Sequence, residues 1–261
     1  MKFVIVMLVL PVVAVLMTMA GHGGGNFYVL TLVLAGIPIH QAAMTAQFVL
    51  FATASAAMIV FGRHKVVSWQ LVFFIGGLTA SGAFIGGFCA YGFSGVALEL
   101  VFSAMLIIAA VLMLLPIREQ PVVSSRRFGY WRLHTSTATY MINLWSVLPL
   151  TLGAGFFAGM VGVSGGSLLV PLMVLACRVP MRVAVGTASA MIAATALMGF
   201  LGHVIHTGFN PSWALPLAAV TVAGGLVGGS MAMKTKPKYL KVLFALIALV
   251  AAILMIARIL V

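Results

Sequence analysis

Ten apolar runs, separated by short polar or glycine-rich intervals, account for most of the chain. Five lie in the first half, at about 3–19, 26–37, 41–61, 67–90 and 96–115. Five more lie in the second, at about 143–161, 168–179, 182–202, 212–232 and 239–260. Most are near the ~20 residues that a helix needs to cross a hydrocarbon core. Helices and closed barrels are the only backbone forms that satisfy their own hydrogen bonds in lipid. The pattern therefore predicts an all-α integral membrane protein. The second run of each half has only about twelve residues, which as a helix covers roughly 18 Å of a core ~30 Å thick. Each is expected to be a broken or re-entrant helix that dips partway, although two full crossings would give the same sidedness.

Sliding the chain by 142 residues aligns the halves. Identities fall at Gly23/Gly165, Gly24/Gly166, Leu30/Leu172, Pro38/Pro180, Ala42/Ala184, Thr45/Thr187 and Ala46/Ala188. Further along come Gly82/Gly224, Gly86/Gly228 and Gly87/Gly229, and a two-residue slip pairs Ser68-Trp69 with Ser212-Trp213. Shared leucines and alanines carry little weight in apolar sequence, whereas glycines, prolines, threonines and tryptophans in one register mark a duplicated unit. The chain divides into a first transmembrane repeat (1–115), a basic cytoplasmic connector (116–142) and a second transmembrane repeat (143–261).

Both short runs follow a glycine patch: Gly21-His22-Gly23-Gly24-Gly25-Asn26 in the first half and Gly162-Val163-Ser164-Gly165-Gly166-Ser167 in the second. A matched pair of glycine-interrupted apolar segments points to a transporter site built from broken helices. A helix is expected to begin at about Asn26 and at about Ser167, and its first N–H groups, with the positive end of the helix dipole, suit an anion. The other reading is that the glycines only let helices pack closely. That reading leaves His22, Asn26, Ser164 and Ser167 unexplained, and it is the better one for Gly82-x3-Gly86 and Gly224-x3-Gly228.

Charge sets the orientation. The chain is 64% hydrophobic and 6% charged, with two acids, Glu99 and Glu119, against fourteen Lys and Arg. The net charge of +12 does not point to nucleic acid, because the basic residues sit in connectors: Arg63/Lys65, residues 118–132, Arg178/Arg182, and Lys234/Lys236/Lys238/Lys241. With the N-terminus outside and an odd number of crossings per half, twelve of the fourteen fall on the cytoplasmic side. That arrangement makes the repeats inverted, puts both termini outside an inner (cytoplasmic) membrane, and brings the glycine patches in from opposite faces. Lys2 followed by the apolar run 3–19 resembles a signal peptide, with small residues at Ala20-Gly21. The run is longer than a usual signal core, and a similar segment (143–159) precedes the second patch, so a retained helix is expected.

Other chemistry is sparse. Gln41, Thr45, Gln47, Thr187 and Ser189 fall on the helices after Pro38 and Pro180, where they would either line a polar path or satisfy neighbouring backbone. His22 would donate to an anion, carry a coupled proton or make a neutral structural hydrogen bond. His203 and His206 lie at the expected outer end of a helix, without an evident third metal ligand. Cys89 and Cys177 match no metal spacing and are not expected to pair. No acid falls in an expected membrane centre, and there is no nucleophile–base pair, so enzyme chemistry is not expected.

The stretch Gly162-Val163-Ser164-Gly165-Gly166-Ser167-Leu168-Leu169-Val170-Pro171-Leu172, followed by Pro180 and Ala184-Val185-Gly186-Thr187, resembles the TauE/SafE sulfite-exporter-like permease family, of the four-toluene-sulfonate-uptake-permease type. The first-half stretch from Gly21 to Thr45 looks like that family's N-terminal repeat. The departures are Ser164, where glycine is commoner, and Tyr28-Val29-Leu30 opposite Val170-Pro171-Leu172. The resemblance implies a transporter of sulfite, thiosulfate, sulfoacetate or other organosulfonates. Combined with the residues, it gives a secondary transporter with His22, Gly23, Gly24, Gly25, Asn26, Thr45, Gln47, Ser164, Gly165, Gly166, Ser167, Thr187 and Ser189 around the substrate. An anion channel, or a transporter of a non-sulfur small anion, is the alternative. Neither a metal nor a cofactor is expected. The partners are a small anion and the lipid bilayer; coupling to a proton or ion, and oligomer formation, stay open.

Overall fold

The computed structural model describes residues 2–21, 23–114, 130–135, 138–163, 165–175, 179–206 and 208–236, with six residues between 239 and 253. In the first half, α1 (Lys2–Ala20), α2 (Gly25–Leu34) and α3 (Ile39–Arg63) precede α4 (Trp69–Leu71). A π-helical turn, Val72–Gly76, carries α4 into α5 (Gly77–Cys89), a 3-10 turn, Ala90–Gly92, closes it, and α6 is Gly95–Leu114. The second half has α7 (Leu144–Val161), α8 (Gly166–Leu175), α9 (Met181–Val204) and α10 (Pro211–Lys234). Among the described residues, four helical stretches are long and apolar enough to cross a membrane: Ile39–Arg63, Trp69–Gly92, Met181–Val204 and Pro211–Lys234. Shorter apolar helices join them, among them α2 (Gly25–Leu34), which falls in a run expected to be short. The tenth run, 239–260, lies largely outside the described residues.

Local signals place the ends. Pro38 and Pro180 precede α3 and α9 in the extended conformation that proline favours. Asn210 caps α10, its side chain accepting from Ser212 N–H at 3.1 Å, with Pro211 in the first helical position. The connector departs from the all-α expectation, because β1 (Tyr130–Thr135) and β2 (Ala138–Asn143) pair as an antiparallel hairpin.

At the centre α3 packs on α9; α5 packs on α7 and α9, α10 packs on α1 and α3, and the short helices α2 and α8 lie on α3 and α9. Glycines set the closest approaches. A Cβ on Gly82 would stand 2.5 Å from the Leu152 carbonyl oxygen, and one on Gly86 would collide with that of Phe156. Their repeat counterparts Gly224 and Gly228 meet the carbonyls of Pro11 and Val15, at 2.8 and 2.5 Å. The small-xxx-small faces therefore do pack helices, and they make α5 run parallel to α7 and α10 parallel to α1.

The two ends of the bundle differ. At one, His40 stacks on Tyr91 and His206 packs against it at a tilt, with ring centroids 5.1 and 5.2 Å away, and Gly95 abuts Ile39. At the other, Arg182 donates to the Thr235 carbonyl at 3.3 Å, and Gly186 touches Phe61 and Val66. Because α3 starts at the histidine end and α9 starts at the arginine end, these two central helices run antiparallel. Apolar side chains also point outward, among them Phe73 (78% exposed) and Leu8 (70%). Lipid is the solvent that suits them.

Candidate functional site

The glycine patches are two helix breaks. After α1 the Gly21 N–H donates to the Thr18 carbonyl at 3.1 Å, and the chain turns through Gly24 at φ +102°. That left-handed conformation is open to glycine at little cost. Helix α2 then starts at Gly25, and the N–H groups of Phe27 and Tyr28 both donate to the Gly24 carbonyl at 3.0 Å. After α7 the Val163 N–H donates to the Ala158 carbonyl at 3.0 Å, and Gly162 takes φ +78°. Helix α8 starts at Gly166, and Leu168 and Leu169 donate to the Gly165 carbonyl at 3.1 and 2.9 Å. Both short helices therefore begin one residue ahead of the positions expected from the sequence.

The breaks meet. A Cβ on Gly166 would stand 2.7 Å from the Gly21 carbonyl oxygen, and one on Gly21 would lie 3.2 Å from Val170 of α8. A Cβ on Gly23 would lie 2.9 Å from Leu50 and 3.1 Å from Ile192. Leu50 and Ile192 occupy equivalent repeat positions, each near the middle of its helix, roughly 18 Å from either helix end at 1.5 Å per residue. The apposed patches thus sit halfway through the bundle.

Around them, Asn26 and Gly25 are buried at the start of α2. The buried Tyr28 ring packs where a Gly24 Cβ would be, 2.5 Å away, and its hydroxyl donates to Thr53 Oγ1 at 3.3 Å. Thr195, the repeat counterpart of Thr53, has its hydroxyl 3.8 Å from where a Gly165 Cβ would be. Both threonines are buried and donate to a carbonyl one turn back, Val49 at 2.9 Å and Met191 at 2.8 Å. The candidate residues chosen from the sequence omitted this pair, although the 142-residue register aligns it.

The other candidates are dispersed. Thr45 lies toward the histidine end and Thr187 toward the arginine end, where the Thr187 hydroxyl accepts the Ser68 N–H at 3.0 Å. The Ser189 hydroxyl donates to Val185 of its own helix at 3.1 Å, and Gln47 Nε2 donates to the Ala158 carbonyl at 3.3 Å. His22 and Ser164, and the Ser167 side chain, lie outside the described residues, as do Cys177 and Arg178. Among the described residues, no group of three or more His, Cys, Asp or Glu is placed to hold a metal ion.

The sequence profile of the sulfite exporter TauE/SafE family matches residues 6–255, a span that takes in both glycine patches. The chain belongs to the TauE/SafE family. It is 25% identical over 252 residues to a probable membrane transporter protein, YunE, of Bacillus subtilis, covering 91% of each chain. A probable membrane transporter protein of Xylella fastidiosa (strain Temecula1) is 25% identical over 241 residues, covering 90% of this chain and 88% of that one. No solved structure matches. This TauE/SafE protein is therefore a multi-pass membrane transporter.

Proposed function

We propose that this TauE/SafE member is a secondary transporter of small sulfur-containing anions, such as sulfite, thiosulfate, sulfoacetate or another organosulfonate, held between the two glycine patches. The observation that carries this reading is that Gly23 and Gly166, one from each patch, both pack on Ile192 midway along α9, with the Gly21 carbonyl against Gly166. Two helix starts converge there, and each start leaves its first N–H groups, ahead of Phe27 and ahead of Leu168, to acceptors outside the helix. Their dipoles add positive potential without a buried lysine or arginine. To donate to the anion, the hydroxyls of Thr53 and Thr195 would turn away from the Val49 and Met191 carbonyls that they meet here. The family's description as sulfite exporters supports sulfur oxyanions as the class.

The same packing supports inverted repeats. The equivalent helices α3 and α9 run antiparallel, and the pairing of α5 with α7 is mirrored by α10 with α1. Arg63, Lys65, Arg182, Lys234 and Lys236 gather at one end, which the positive-inside rule makes cytoplasmic, leaving the N-terminus outside an inner membrane. Access alternates as the halves rock about the patches.

Purified protein in detergent should gain thermal stability with sulfite, thiosulfate or sulfoacetate, rising with the logarithm of concentration above Kd. Stabilisation by a cation or neutral solute, with none from any sulfur oxyanion, would overturn the substrate class. Uptake into proteoliposomes should saturate and show trans-stimulation; linear flux without it would make the protein a channel. Gly165→Val adds atoms beside Thr195 where a Cβ makes only ordinary contacts, 3.4 Å from Leu169. It should abolish transport with expression preserved, and normal uptake would remove the patch from the site.

A further inference from the structure

Three differences between the repeats fall in one place. The first-half positions Gln47, Ala57 and Phe61 correspond, at the 142-residue offset, to Ser189, Gly199 and His203. In the structure Gln47, Gly199 and His203 meet over the end of α7. His203, fully buried in the last turn of α9, places Nε2 2.9 Å from the Gly159 carbonyl oxygen. Gln47, buried on α3, donates from Nε2 to the preceding carbonyl, Ala158, at 3.3 Å. Its amide lies flat on Gly199, where a Cβ would stand 2.7 Å from Nε2, so glycine makes room for it. The same carbonyls receive the N–H groups of Val163 and Gly162 as the chain leaves α7 for the second glycine patch.

The counterparts do something else. Phe61 packs into a small apolar cluster with Met19, Ala57, Val185 and Ala232. The Ser189 hydroxyl stays on its own helix. The end of α7 is hydrogen-bonded to both central helices, whereas the first break is tied to α3 by a different contact, the Tyr28 hydroxyl donating to Thr53 Oγ1. The last carbonyls of any helix need donors from outside it, and a buried carbonyl fully satisfied by directed bonds is held in one geometry.

We propose that His203 and Gln47 are positioning residues that latch the end of α7 and so fix the second glycine patch. The functional consequence rests on reading the patches as the substrate site; the latch itself does not.

Hydrogen–deuterium exchange on the full-length protein in detergent, with no substrate added, tests it. His203→Phe, which installs the first-half residue, and Gln47→Leu should speed exchange of the Val163, Leu168 and Leu169 amides. The expected factor is about fivefold or more, corresponding to one hydrogen bond of local opening free energy. The Gly21, Phe27 and Tyr28 amides should be unchanged. His203→Gln keeps an N–H donor near the Nε2 position and should restore slow exchange. Unchanged exchange at the second patch, equal loosening of both patches, or a His203→Gln protein as fast as His203→Phe would each overturn the latch. If no sulfur oxyanion binds the wild-type protein, the substrate assignment fails while the exchange result stands. If the anion does bind, His203→Phe should raise KM for sulfite uptake and His203→Gln should not.

Discussion

At the scale of single residues, what was legible was the glycine and what was hidden was the hydroxyl. Gly24 and Gly162 stand out in sequence because an apolar helix has no other reason to tolerate them, and both take positive φ at a break. A threonine in an apolar helix is ambiguous, since its hydroxyl can close onto its own carbonyls, as Thr53 and Thr195 do, or reach across. Thr45 and Thr187 looked equivalent, yet the Thr187 hydroxyl caps the chain at Ser68, 119 residues away in sequence. Such a partner depends on which connector arrives beside the helix, and no local pattern encodes that. Thr187→Val keeps the shape and removes the acceptor, leaving a buried N–H at a cost of about 1–3 kcal/mol. The midpoint of thermal unfolding in detergent should fall by roughly a few degrees. An unchanged midpoint would mean the Ser68 N–H finds another acceptor.

At the scale of helices, the run lengths and break points were readable because lipid imposes both. The two-residue slip between Ser68-Trp69 and Ser212-Trp213 has a structural counterpart. The first-half helix carries a π turn at Val72–Gly76, and a π turn takes up extra residues without ending a helix. The hairpin of β1 and β2 was not foreseen, because a polar connector between membrane spans carries no hydrophobic alternation strong enough to announce it. Glycine content alone also fails to say which glycines pack. Gly77 and Gly86 both lie in α5, but a Cβ on Gly77 meets nothing within 4 Å, whereas one on Gly86 strikes the Phe156 backbone. Gly77→Ala should be neutral or stabilising, by up to about 1 kcal/mol from helix propensity. Gly86→Ala should lower the yield of monodisperse protein by separating α5 from α7. Size-exclusion profiles and unfolding midpoints of the two variants would compare them directly, and equal behaviour would refute the packing assignment.

For the whole molecule, the repeat and the charge pattern together define two dissimilar ends. One carries Arg63, Lys65, Arg182, Lys234 and Lys236, and the other carries His40, Tyr91, His203 and His206. In a variant with Cys89 and Cys177 replaced, a single cysteine at Tyr91 should react with a membrane-impermeant maleimide added to intact cells. One at Lys236 should react only after permeabilisation. The reverse pattern would invert the orientation argued from positive charge. The placement of the breaks has a mechanical corollary. They meet beside Leu50 and Ile192, near the midpoints of two helices of 25 and 24 residues, so in the rocking motion proposed above the contact would be the fulcrum of a lever with nearly equal arms. With arms of ~18 Å, a tilt of ~10° about that point swings each tip by ~3 Å, in opposite senses at the two membrane faces. A gap opened at one face would then be matched by a closure of similar size at the other, while atoms at the fulcrum would barely move.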